Sequence, residues 1–340
     1  MSPRSSHPTR CPAALALLLL LPACGREPDV RIYCALDQQH SEPILREFER
    51  ATGLRVDMRF DTEADKTVGL VTAIEEERGR TRCDVFWNNE VAQTIRLKRQ
   101  GLLAPYKSPA AADIPVGFQD PDGMFTGFAA RARVFIINTR LMPDRAQWPK
   151  RLADLADPVF KGKGAMARPL TGTTLTHAAA LYTLLGEAPA EQLLGALQAN
   201  GVTWCKGNAH VMRQVAEGQL PFGLTDTDDF RVAVEKGFPV ESVYPDADGT
   251  GTLLIPNTVA LIQGAPHPEA ARKLIDYILS PQVEARLAES PSAQIPVRAA
   301  VPRPAHVRGV DSFKVATLDW SKAAEWLDRK RAALMERFGR

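Results

Sequence analysis

The sequence predicts an α/β protein in two lobes, each a mixed sheet flanked by helices, with two strands crossing between them. Three observations carry that prediction. From residue 29 to 103, short apolar runs alternate with helix-period runs three times in succession. A second alternating set begins at residue 162. Two long β-rich stretches, "GMFTGFAARARVFIINTRLM" (123–142) and "GTLLIPNTVALIQG" (251–264), bracket that second set. Two crossings place both chain ends in one lobe. The expected division is residues 28–127 plus 257–340 for lobe 1 and 128–256 for lobe 2.

Each element has its own local signal. "DVRIYCAL" (29–36) is an apolar strand. "SEPILREFERATG" (41–53) is a helix, with Ser41 as N-cap, Gly53 as stop, and Ile44, Leu45, Phe48 and Ala51 at helical spacing. "LRVDMRF" (54–60) alternates as a strand, and "ADKTVGLVTAIEEERGR" (64–80) is helical. "CDVFWNN" (83–89) is the third strand, followed by the helix "EVAQTIRLKRQGLL" (90–103), which ends at Gly101. The second set reads as "GKGAMARP" (162–169), "TGTTLTHAAALYTLLGE" (171–187), "AEQLLGALQAN" (190–200), "GVTWCK" (201–206), "AHVMRQVAEGQ" (209–219), "PFGLTD" (221–226) and "DDFRVAVEKG" (228–237). Helices close the chain at 268–290 and 321–339.

Composition excludes some functions. The 340 residues are 45% hydrophobic and 24% charged, with a formal net charge of +2. This is an ordinary globular balance with no basic footprint for nucleic acid. The N-terminus differs. Two arginines precede an apolar run from Ala13 to Leu21, and "LPAC" follows. That run is shorter than the ~20 residues a spanning helix needs, so residues 1–23 read as a signal peptide. Leu21-Pro22-Ala23-Cys24 resembles a bacterial lipobox, with Pro22 as its departure and Cys24 as the expected lipidated residue; the alternative is an ordinary cleaved signal. Cys34, Cys83 and Cys205 border apolar runs and are expected as small core residues. On parallel neighbouring strands, Cys34 and Cys83 would lie beyond the ~7 Å that a disulfide can bridge.

In parallel sheets ligands bind beyond the carboxyl ends of the strands. For the first and third strands those ends are "ALDQQH" and "WNNE", both polar and both directly before a helix. The mature chain resembles the extracellular solute-binding proteins of bacterial ABC importers, above all their ferric-iron branch. The stretches that carry the resemblance are "VRIYCALDQQHSEPILREFERATGLRV", "CDVFWNNEVAQTIRLKRQGLLAPY", "ARARVFIINTRLM", "RPLTGTTLTHAAALYTLLGE", "NAHVMRQVAEGQLPFGLTDTDDF" and "PNTVALIQGAPHPEAARKLIDYILSPQVEARLAE". It implies a type II periplasmic-binding-protein fold, closing on its solute like a clamshell and delivering it to a permease and an ATPase.

The resemblance also places candidate ligand positions, and the usual ferric ligands are replaced at each. The family's His falls on Asp37, its Glu on Asn89 with Glu90 beside it, and its two adjacent tyrosines on Asp228 and Asp229. Carboxylates are hard oxygen donors that suit several cations. On the anion side, Thr171, Gly172, Thr173 and Thr174 open a helix, and Asn208 opens another. Arg131 and Arg133 share one face of the first crossing strand, and Arg131 is the candidate cleft cation. Trp87 is a candidate to line the cleft, and Asp226 to contact ligand or cap a helix. Asp37, Asp228 and Asp229 form the tentative metal set. His40 reads as solvated, His177 as a helix-surface or packing residue.

The expected function is therefore that of a lipid-tethered, periplasmic, monomeric receptor for a small solute. That solute is a metal ion with an oxyanion or, alternatively, a zwitterion such as an aminoalkylphosphonate or thiamine. A metal would be transported cargo, and no cofactor is expected. "TDTDD" also fits the metal-binding D-x-D of glycosyltransferases, but an export signal argues against cytosolic nucleotide-sugar substrates. No G-x-S-x-G, H-E-x-x-H or P-loop is present, so no enzyme is expected.

Overall fold

A computed structural model describes residues 27–61 and 68–339. The predicted signal peptide and Cys24 lie outside the described residues.

The first βα series is β1 (Val30–Cys34), α1 (Gln38–Thr52), β2 (Val56–Phe60), α2 (Val68–Glu76), β3 (Val85–Asn88) and α3 (Ala92–Arg99), followed by the short β4 (Leu103–Ala104). β5 (Thr126–Asn138) is the first crossing strand. The second series is β6 (Gly164–Ala167), α4 (Gly172–Leu185), α5 (Glu187–Ala199), β7 (Thr203–Cys205), α6 (Asn208–Ala216), β8 (Phe222–Asp226), α7 (Thr227–Glu235) and β9 (Val240–Val243). β10 (Leu254–Ile262) returns, and α8 (Pro268–Ile278), α9 (Pro281–Glu289) and α10 (Trp320–Phe338) complete the chain.

The strands follow the order β2-β1-β3-β10-β5-β8-β6-β7, with β4 on β10 and β9 on β5. β1 pairs in parallel with β2 and β3, and β6 with β7 and β8. β5 joins the two parallel groups. Its first half, Thr126 to Ala132, lies antiparallel to β10, and its second half, from Arg133, lies antiparallel to β8. All 13 residues of β5 are buried, as a strand covered on both faces must be. At the β5–β10 crossing the register shifts between Pro256 and Asn257.

Local chemistry sets the helix ends. Gly53 closes α1 in the left-handed conformation at φ 73°, where a side chain would be strained. Ser41 is not the N-cap of α1. The helix starts three residues earlier, and the Ser41 hydroxyl donates back to the carbonyls of Leu36 and Asp37. Ile44, Leu45 and Phe48 are buried, whereas Ala51 is exposed. The helix expected over 268–290 is two helices, because Pro281 cannot continue α8 and instead starts α9.

The stretch 257–340, expected in lobe 1, ends in α10, which lies across both series. Asp328 pairs with Arg96 and Arg99 of α3 at 3.2 and 3.1 Å. Lys330 pairs with Glu187 and Glu191 of α5 at 2.6 and 3.0 Å, and Trp326 stacks on Tyr182 of α4. Cys34, Cys83 and Cys205 are buried and free. Cys34 is level with Trp87 across the β1–β3 pair, so Cys83 stands four positions away along the strand.

Candidate functional site

β1–β3 and β6–β8 run in opposite directions, so their carboxyl ends face each other along β5, and a cavity of about 60 Å³ lies between them. Asp37 lines it just beyond β1, Asn89 beyond β3, Arg168 beyond β6, Lys206 beyond β7, and Asp228 and Asp229 beyond β8. Thr171, Gly172, Thr173 and Thr174 at the start of α4, Asn208 at the start of α6, and Arg131 and Asp226 also line it. The starts of α4, α6 and α7 thus meet at one cavity. Each contributes the positive end of a helix dipole.

A buried network fixes these helix starts. The Arg133 guanidinium, fully buried, donates from Nη1 to Asp226 Oδ1 at 2.6 Å. Asp226 Oδ2 accepts from Thr173 Oγ1 at 2.6 Å and from Asn208 Nδ2 at 3.0 Å. Arg133 Nε donates to His177 Nδ1 at 3.3 Å, and Asn208 Nδ2 also reaches Thr173 Oγ1 at 2.8 Å. Burial opposes ionisation of Asp226, but the charges of Arg133 and Arg131 and the Thr173 and Arg133 hydrogen bonds hold its carboxyl below the usual range. Burial, with Arg133 beside it, pushes His177 down to about 3, so this imidazole is neutral and accepts at Nδ1.

Asp226, Asp228 and Asp229 bring carboxylate oxygens within 4.8 Å of one another. Their partners differ. Asp228 Oδ1 accepts from the Asp229 amide at 3.0 Å, and its Oδ2 is 3.6 Å from Arg131 Nη1. Asp229 Oδ2 accepts from Thr225 Oγ1 at 3.1 Å. Arg131 is buried, donates from Nη2 to the Asn89 carbonyl, and leaves its Nε without a hydrogen-bond partner among the described residues. A buried guanidinium N–H of this kind is a group that an oxyanion satisfies.

Two candidates are placed elsewhere. Glu90 is fully buried and accepts from the amides of Ala92 and Gln93 at 2.7 and 2.9 Å, from Asn88 Nδ2 at 2.9 Å, and from Thr176 Oγ1 at 2.5 Å. It therefore caps α3 and reaches α4 instead of lining the cavity. Trp87 is fully buried against Phe128, because β3 is covered on both faces. Asp226 occupies the N-cap position of α7, but its side chain makes no capping bond there and serves Arg133 instead. His40 is buried, not solvated. Two charged cavity residues escaped the sequence reading, Arg168 and Lys206. Both follow strands directly, so the strand-end rule applied to the second series would have found them.

Comparisons with known proteins agree with this fold. The sequence profile of the bacterial extracellular solute-binding proteins matches residues 89–328, well over half of the chain. Iron uptake protein A1 of Synechocystis is 24% identical over 326 residues, covering 89% of this chain and 88% of its own. A Salmonella typhimurium periplasmic protein, whose name proposes 2-aminoethylphosphonate binding, is 26% identical and covers 80% of this chain and 79% of its own. Among solved structures, iron-bound HitA of Pseudomonas aeruginosa superposes with a TM-score of 0.82 at 25% identity, over 92% of this chain and 99% of HitA.

Proposed function

This chain belongs to the bacterial extracellular solute-binding proteins, and on that premise we propose that it captures a small ionic solute for an ATP-driven importer. The solute is a hard metal cation held together with an oxyanion. The receptor acts as a monomer on the periplasmic side of the cell envelope, tethered through Cys24, and hands its cargo to a permease. The metal is cargo, not a resident cofactor. Members of this family bind solutes and are not enzymes.

One observation supports this reading above the others: the cavity is bipolar. Asp37, Asp228 and Asp229 supply hard oxygen donors, while Arg131, Arg168, Lys206 and the starts of α4 and α6 supply an anion cradle. Among the described residues no Cys, His or Met lines it, so these offer nothing that favours a soft metal. The iron-binding relatives support a metal cargo. The tyrosines expected for iron are absent, which favours a hard cation other than a standard ferric centre. The same bipolarity suits a small zwitterion, and the Salmonella relative supports that second reading.

Thermal unfolding of the purified protein tests the proposal, against Fe³⁺, Mn²⁺, Zn²⁺ and Ca²⁺ with and without phosphate, and against aminoethylphosphonate. A solute at about 100 times its Kd stabilises by ~2.7 kcal/mol, or several degrees at this chain length. The Asp228→Ala/Asp229→Ala variant is expected to lose that shift. Retention of the full shift would remove the acids from the site.

A further inference from the structure

Asp226 stands in the acidic cluster but is held differently from its neighbours. It is directly opposite Arg133 in the β5–β8 register, and both side chains are buried. One of its oxygens takes the guanidinium, and the other takes Thr173 and Asn208. Thr173 lies in the first turn of α4, and Asn208 is the first residue of α6. Arg133 also reaches His177, four residues beyond Thr173 on α4. Four elements, β5, β8, α4 and α6, therefore meet on one ion pair.

We infer that Asp226 is a positioning residue, not a ligand, and that the Arg133–Asp226 pair aims the starts of α4 and α6 at the bound oxyanion. The charge of Asp226 is matched by a guanidinium at 2.6 Å, so the carboxylate has little attraction left for a cation in the cavity. Cation contact falls to Asp228 and Asp229. This assignment rests on the ionic-solute reading above. It distinguishes three carboxylates that lie within 4.8 Å of one another and that proximity alone would group as one metal set.

The test compares wild type, Asp226→Asn, Arg133→Gln, the double variant and Asp228→Asn. Terbium(III) luminescence reports the cation, calorimetric titration of inorganic phosphate the anion, and thermal unfolding the fold. Asp226→Asn and Arg133→Gln each leave one buried partner unmatched, and phosphate affinity is expected to fall about tenfold or more. The double variant restores matched neutral partners, and both affinities are expected to return to within about threefold of wild type. Asp228→Asn is expected to weaken terbium binding with no such partner to rescue it. If Arg133→Gln does not fold, Asp226→Asn and the double variant decide the question. A double variant as weak as Asp226→Asn would make Asp226 a direct ligand and overturn the inference. Single variants that lose thermal stability but keep both affinities would reduce the pair to a structural role and also overturn it. Wild type that binds neither probe would overturn the ionic-solute reading itself.

Discussion

The β3–α3 and β8–α7 junctions are built from the same parts. In each, a fully buried strand runs into a helix, and acids sit at the turn. At β3–α3 four donors converge on Glu90: two backbone amides, Asn88 and Thr176. Among the described residues no cation pairs with it, and burial raises its pKa. At β8–α7 a guanidinium and two side-chain donors converge on Asp226, and the next two acids are left at the cavity. The difference teaches that an acid near a strand end is withdrawn from a site when the fold encloses it in donors. Glu90 at β3–α3 and Asp226 at β8–α7 are enclosed in this way, while Asp228 and Asp229 line the cavity.

The comparison can be broken at its strongest point by Arg133→Leu. That change leaves Asp226 buried and unpaired, and a loss of about 3–5 kcal/mol is expected in denaturant unfolding. The same substitution at a surface arginine such as Arg145, exposed in its pair with Glu241, should cost under ~1 kcal/mol.

Acid titration gives the next largest effect. His177 is neutral when folded, with a pKa near 3 against an ordinary 6.5. The unfolded chain therefore binds a proton that the folded chain refuses, and stability falls as pH drops from about 6.5 toward 3. The slope is roughly 1 kcal/mol per pH unit. Asp226 has a lowered pKa, so its contribution is present above the ordinary carboxylate value and is lost only below it. His177→Phe should flatten the limb between pH 6 and about 4 in thermal melts while leaving the more acidic limb in place.

Glu90→Gln keeps the shape but loses the charged acceptor for four donors. A cost of about 1–3 kcal/mol is expected by denaturant unfolding. The smallest effect sharpens the far side of the comparison. Thr225→Val removes the hydroxyl that orients Asp229, with less than ~1 kcal/mol lost and a modest weakening of solute binding by calorimetry.

Most of the fold was legible because buried parallel strands read as apolar runs, and "VRIYC", "VFWN" and "FGLTD" are such runs. β9 was not legible: "VESV" is mostly half-buried and carries no clear period. In the site, the polar ends beyond β1 and β3 follow from the strand-end rule, whereas Asp228, Asp229 and the helix starts at Thr171 and Asn208 were placed by the family resemblance. Glu90 and Trp87 were misplaced because the donors and ring that bury them, Thr176 and Phe128, come from distant parts of the chain. The pairing of Arg133 with Asp226 is a matter of strand register across 93 residues, and no local pattern encodes it.

The central claim is that Asp228 and Asp229 at one junction bind solute, while Glu90 at the other holds the fold. Calorimetric titration of the solute that gives the largest thermal shift tests it directly, on Asp228→Ala/Asp229→Ala and Glu90→Gln side by side. The account predicts that the double variant loses at least about 100-fold in affinity while keeping its melting temperature, and that Glu90→Gln melts earlier with its Kd within about threefold of wild type. The reverse pattern, with affinity lost at Glu90 and kept without Asp228 and Asp229, would contradict it.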